Sequence, residues 1–369
     1  MKDAVLETSI FNQDNDAWQT GRYPLFLGEP LALYDSINTP YPRLFDLYKL
    51  QKSMDWTEDE VNLEQSRMDL LNCSKNNYDI MVKTLAFQWE LDSVASRTIA
   101  PLFAPFVTNS ELWVMLSKQS EVENLHALTY SEIIRQCISD PQEVFKEVMR
   151  NDEVLNRSTT IIDCFNELDR YGALYKLGQV ERDSKELKAV VLKGFVALYC
   201  LEKIEFMSSF ACTFALAEQN IFQGIAKLVQ KIAQDEQVHV MMDEAVLEIL
   251  FREEEWRNLF EENKEYVHEI IRSVISQELD WNEYLFSENR SIVGLNKTLL
   301  DEWVLWNAQE LYGFLGLENP YKPIAKKPLM WMDNWLDLNK TQNANQEMDN
   351  TNYRLNSVTD DAEDEIFEI

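Results

Sequence analysis

Apolar residues recur along this chain at helical spacing, three and four apart, and few segments alternate with the period of a strand. Nine glycines in 369 residues leave few breaks. The pattern predicts a helix from about Pro42 to Met54, then long helices near 76–104, 110–139, 152–177, 184–219 and 221–251, and two more near 264–288 and 296–315. Thr57, with Glu60 three residues on, reads as an N-cap and its capping-box partner. Gly172, Gly178 and the charged run Glu181 to Glu186 mark a break. The first forty residues carry turns around Gly28 and Pro30. After Trp335 the apolar pattern stops. Asn339 to Ile369 is rich in Asn, Asp, Glu, Gln and Thr, and is expected to be disordered in the isolated protein.

Acids and histidines interrupt this apolar pattern in a particular way. Two of the chain's three histidines lie in Glu-x-x-His pairs, Glu123 with His126 and Glu236 with His239. On a helix, residues i and i+3 share a face one turn apart, so each pair aims a carboxylate and an imidazole at one place. One such pair is weak, because Glu and His at this spacing often form a solvated surface pair. Here each pair lies inside a strongly apolar helix, and so do two further acids, Asp92 and Glu202. Carboxylates in apolar surroundings are costly unless paired or bound to metal. Four acids and two histidines on four helices are the ligand set of a dinuclear carboxylate bundle. Two ions are then expected about 3.5–4 Å apart.

Composition narrows the partners. With 64 acidic and 34 basic residues the net charge is −30, which argues against nucleic acid. No 18-residue apolar run is free of charges, and the amino terminus lacks the apolar stretch of a signal peptide. No membrane association and a cytoplasmic location are therefore expected. Cysteines 73, 137, 164, 200 and 212 have no C-x-x-C spacing and read as free, buried thiols.

Ser120 to Arg135, which contains Glu-x-x-His followed by Tyr130, resembles a signature of the radical-generating small (β) subunit of class I ribonucleotide reductase. So do Leu91-Asp92-Ser93, Leu201 to Ala215, Ile232 to His239 and the exit block Pro328 to Trp335, in that order. The resemblance covers most of the chain. It implies an all-α, ferritin-like bundle over 41–336, preceded by an extended segment 1–40 and followed by a flexible tail 337–369. It also implies a homodimer that works with a large subunit binding the ribonucleotides. The metal ligands would be Asp92, Glu123, His126, Glu202, Glu236 and His239. Oxygen-rich ligands with one imidazole per metal suit two iron ions, with manganese the alternative.

Further roles follow from the same resemblance. Tyr130 would carry a stable tyrosyl radical, with Phe206, Phe210 and Ile232 as its apolar shell. Without the motif, Tyr130 would be one aromatic core residue among 14 tyrosines. Trp56 would relay the radical, and Asp235 would link it to a histidine ligand. Tyr353 would pass the radical across the subunit interface, and Ile366, Phe367 and Ile369 would anchor the tail on the large subunit. Gln234 departs from the arginine that bacterial relatives often carry beside Asp235, and is expected to alter the charge there. Two rivals are a diiron oxidase acting directly on an apolar substrate and a ferritin-like metal store. Neither needs the relay residues or a docking tail.

Overall fold

The computed structural model describes residues 11–340. Helices account for its architecture, and among the described residues extended pairing is limited to the isolated bridges Phe26–Val107 and Ile292–Leu295. In chain order the helices are α1 (Ala17–Thr20), α2 (Pro42–Ser53), α3 (Glu64–Asn72), α4 (Lys75–Phe103), α5 (Ser110–Cys137), α6 (Pro141–Arg150), α7 (Asp152–Arg157), α8 (Thr159–Lys176) and α9 (Lys185–Cys200). A π-helical turn, Leu201–Phe206, runs on into α10 (Met207–Ala217). Then come α11 (Gln223–Arg252), α12 (Glu254–Glu262), α13 (Lys264–Leu285), α14 (Lys297–Phe314) and α15 (Met332–Leu336).

Local chemistry starts the long helices. Ser74, Asn109, Ser184 and Asn296 each accept a backbone N–H three residues on, at 3.2, 2.8, 3.2 and 2.9 Å. These side chains satisfy amides that an α-helix leaves open at its start. Pro101 falls in the last turn of α4, where its ring disturbs the ladder. The neighbouring Ala100 N–H donates to Ser120 Oγ on α5, at 2.8 Å.

The long elements match the expected helices to within a few residues, with three instructive differences. Thr57 does not cap a helix. Its N–H does donate to Glu60 Oε1 at 3.1 Å, but the segment is a turn, and helix resumes only at Glu64. The expected helix 152–177 breaks at Ser158 into α7 and α8. The expected helix 184–219 is not regular α-helix, because Leu201–Phe206 form the π turn. Short helices α3, α6 and α12 went unseen in the apolar pattern, because nine or ten residues give too few turns for a period to stand out.

The amino-terminal segment is stitched to the bundle. Leu25, Phe26 and Leu27 are buried, Leu27 N–H donates to Phe106 O at 2.7 Å, and Thr108 N–H donates to Leu25 O at 3.0 Å. One continuous apolar core then runs through α4, α5, the α9–π–α10 unit and α11, with α13 and α14 flanking. No helix among the described residues is long and apolar enough to cross a membrane.

Candidate metal centre

Four elements meet in the middle of this core, and each brings acid. Helix α4 supplies Asp92; α5 supplies Glu123 and His126; the π turn supplies Glu202; α11 supplies Glu236 and His239. All six are fully buried. Their ligand atoms form two overlapping groups, each within 4.8 Å: Asp92, Glu123, His126 and Glu236, and Glu123, Glu202, Glu236 and His239. Glu123 and Glu236 belong to both.

The distances show how the two carboxylates span the centre. Glu236 lies with Oε1 3.1 Å from His126 Nδ1 and Oε2 2.6 Å from His239 Nδ1. Glu123 does the same, Oε2 at 3.4 Å from His126 Nδ1 and Oε1 at 2.9 Å from His239 Nδ1. Each carboxylate thus offers one oxygen to each half of the site. Yet none of these atoms is aligned as a hydrogen bond. Both oxygens of Asp92, Glu123 and Glu236, Glu202 Oε2, and Nδ1 of both histidines lack a hydrogen-bond partner. Lone pairs that crowd together without bonding to one another face common points. The residues present fit a pair of cations, which both groups would hold with Glu123 and Glu236 in common, and the oxygen-rich ligand set would suit iron or manganese.

Electrostatics without metal says the same. Burial, with Glu123 next, pushes Asp92 well above the usual carboxylate range, and burial with Glu236 and Glu123 does so for Glu202. Burial also opposes charge on the imidazoles, but the surrounding acids outweigh it; His126 is held well above its ordinary value and His239 at about 10. Glu123 shows the reverse balance: burial pushes it up, but the two histidines bring it down to about 2. Without metal, the cluster retains protons that cations would displace.

Around this centre the other candidate residues fall as follows. Tyr130 lies one turn after His126 on α5, fully buried, with Oη unpartnered. Burial, then the field of Asp92, raises its phenol well above the ordinary value. Phe206, Phe210 and Ile232 are fully buried in the same apolar core as Tyr130, and the two phenyl rings stack at 6.1 Å. Asp235 is the hub of a buried network. Its Oδ2 lies 3.1 Å from His126 Nε2 and accepts Trp56 Nε1–H at 2.7 Å, and its Oδ1 accepts Gln51 Nε2–H at 2.7 Å. The Trp56 ring stacks over the His126 ring at 6.2 Å. A cavity of about 180 Å³, lined by Trp56, Gln51, Asp235, Met54 and Lys118 among others, lies beside it.

The Gln234 side chain is engaged away from Asp235. Its amide donates to Asp337 O at 2.8 Å and Lys340 O at 3.2 Å, holding the chain where it leaves α15. One residue missed by sequence reasoning is Gln119, whose Nε2–H donates to Glu202 Oε1 at 3.0 Å. Its signal is a polar residue one turn before Glu123 on the same face. Asp243 was missed too. It is fully buried with both oxygens unpartnered, one turn after His239. The third histidine, His268, stands apart against Tyr312. Four cysteines are buried and free, and Cys73 is free and half-buried. Tyr353, Ile366, Phe367 and Ile369 lie outside the described residues.

Comparison with known proteins gives a consistent picture. Residues 35–328 match the family model described as "Ribonucleotide reductase, small chain". The β subunit of ribonucleoside-diphosphate reductase from Buchnera aphidicola (subsp. Baizongia pistaciae) is 29% identical over 370 residues, 97% of each chain. The β subunit of ribonucleoside-diphosphate reductase 1 from Escherichia coli O157:H7 is 27% identical, covering 92% of this chain and 93% of its own. Among solved structures, the R2 subunit from Clostridium botulinum superposes with a TM-score of 0.77 at 22% identity, covering 90% of this chain and 99% of that one. The dimanganese(II)-NrdF of Streptococcus sanguinis gives 0.65 at 18% identity, over 80% and 95%. At these identities the two structures speak for the shared fold.

Proposed function

The chain belongs to the family of ribonucleotide reductase small chains, and from that premise we propose that it builds a tyrosyl radical on Tyr130 beside a dinuclear metal centre. It is the small subunit of a ribonucleoside-diphosphate reductase, and it acts with a large subunit. The observation that carries the reading is the pair Glu123 and Glu236, each with one oxygen toward either histidine, in the core that also holds the unpartnered phenol of Tyr130.

Two bound iron or manganese ions, together with O₂, supply the oxidising power for removing an electron from a buried phenol. The chain's own residues set the terms. Tyr130 stays protonated, since burial and the field of Asp92 disfavour phenolate, so electron and proton must leave together. Phe206, Phe210 and Ile232 keep water from the neutral radical. Asp235 fixes the His126 ring through Nε2 and ties it to Trp56, which opens a route for the hole toward the surface cavity. Tyr353 then carries the radical across to the large subunit, and the apolar end Ile366, Phe367 and Ile369 docks there, with this chain as a homodimer. The large subunit reduces the ribonucleotide.

Metal-free protein loaded with iron(II) and exposed to O₂ should give a tyrosyl signal by electron paramagnetic resonance, and its absence would favour manganese as the working metal. Tyr130→Phe should keep fold and metal and lose that signal. A wild-type signal in this variant would place the radical on another residue. Tyr353→Phe should keep the signal but lose nearly all deoxynucleotide formation with the cognate large subunit, and near-normal turnover would remove Tyr353 from the route.

A further inference from the structure

Glu202 is the ligand whose place depends most on its backbone. It belongs to one of the two ligand groups, and its only hydrogen-bonded oxygen is held by Gln119. It sits in the π turn, where amides reach back five residues and the ladder shared by α9 and α10 is interrupted.

The carbonyls at the end of that turn are served by side chains. Ser208 Oγ donates to Ile204 O at 2.8 Å, Arg157 Nη2 to Glu205 O at 3.3 Å, Ser209 Oγ to Phe206 O at 2.8 Å, and Trp303 Nε1 to Met207 O at 2.9 Å. The two serines are local. Arg157, from the end of α7, and Trp303, from α14, come from distant parts of the chain. Arg157 is the charged member, and it is almost fully buried. Glu278 of α13 holds it through two hydrogen bonds, from Nε and from Nη2, the latter at 2.7 Å. Its guanidinium lies 3.5 Å from the Phe87 ring centre and 4.9 Å from that of Trp281. A planar cation clamped by a carboxylate fork and two aromatic faces has little freedom, so the second Nη2 hydrogen is rigidly aimed at Glu205 O, while Nη1 is buried without a hydrogen-bond partner.

We propose that Arg157 is a positioning residue for Glu202, holding the π turn in its wide form through the Glu205 carbonyl. A regular α-helical turn would rotate Glu202 away from the centre, because the residues per turn differ. The clamp makes the wide turn the stable one: reverting it would withdraw the Glu205 carbonyl from a buried cation that has no water to turn to. The inference rests on the reading of Glu202 as a metal ligand.

The test is an Mn(II)-binding isotherm on full-length metal-free protein, with free Mn(II) followed by its paramagnetic resonance signal. The paired variant Arg157→Met with Glu278→Leu removes the donor without stranding a buried charge, since apolar replacements of a buried ion pair are often tolerated. It should keep the helical signal and melt near the wild type. One of the two Mn(II) ions should bind roughly tenfold less tightly, in line with losing an outer-sphere partner, and the other should change little. Should the pair fail to fold, Arg157→Lys serves, because its ammonium can meet Glu278 but cannot also reach the carbonyl in a fixed fork; the same weakening is expected. Two wild-type Mn(II) affinities in the folded variant would overturn the proposal. Glu202→Gln separates the two ideas. If it too binds two Mn(II) normally, the ligand reading itself fails; if it weakens one ion while the Arg157 variants keep both, only the clamp fails.

Discussion

The two histidines of the centre face it alike and differ behind. His126 turns its far nitrogen to Asp235, which also receives Trp56 and Gln51, and a surface cavity opens beside this network. His239 Nε2 has no hydrogen-bond partner, and the nearby Asp243 has none either. Aromatic stacking follows the same divide: the Trp56 ring lies over His126. One half of the centre is thus wired toward the surface and the other is closed into the apolar core. The two Glu-x-x-His repeats match each other, but Asp92 serves one half and Glu202 the other, and what stands behind the two histidines differs.

The strongest way to break the comparison is to remove what both halves share. Glu236→Ala should lose both ions together, with metal content near zero by elemental analysis, because one oxygen of Glu236 serves each half. Retention of one full equivalent would show that the halves bind independently. The next contrast compares the two rear acids. Asp235→Asn should cost roughly 10–100-fold in metal affinity or activity, since an outer partner sets the tautomer and orientation of His126. Asp243→Asn should cost less than Asp235→Asn in both, because no hydrogen bond ties Asp243 to His239. Equal effects in a paired titration and turnover assay would erase the distinction.

The smallest effect is that of pH on the metal-free protein. Asp92 and Glu202 have raised values in the fold, so their acid forms are favoured, and the stability they lend is lost as pH rises from the ordinary carboxylate range. His239, raised to about 10, contributes below its ordinary value near 6.5 and loses that contribution as pH climbs toward 10. Glu123, lowered to about 2, works in the opposite sense, and its contribution is lost only in acid. Metal loading runs against the protons, so affinity should rise with pH through the neutral range and binding should release protons. A pH-stat trace without proton release would contradict it.

Much of this was legible in one dimension. The helices around Asp92, Glu123 and Glu236 were found to within a few residues because each is long and carries an unbroken apolar face. The capping box at Thr57 misled because half its chemistry is present: Glu60 does reach the Thr57 amide, yet the chain turns there and does not begin a helix. The π turn escaped because a period of 3.6 was assumed through Glu202, and nothing local marks where five-residue hydrogen bonding takes over. Gln234 was placed by its neighbour Asp235, whereas on a helix adjacent residues point about 100° apart, and its amide reaches the chain beyond α15.

The sequence by itself determined which residues can share a face: Glu123 with His126 and Tyr130, and Glu236 with His239. That follows from helix geometry, which depends only on separation along the chain. The tertiary structure alone decided which carboxylates span both halves, that Gln119 meets Glu202 across 83 residues, that Trp56 and Gln51 converge on Asp235 across 179 and 184, and that Arg157 reaches the carbonyl of Glu205. Those contacts depend on how helices cross and on which buried polar groups remain to be satisfied. Packing settles both for the whole core at once, and no local spacing encodes them.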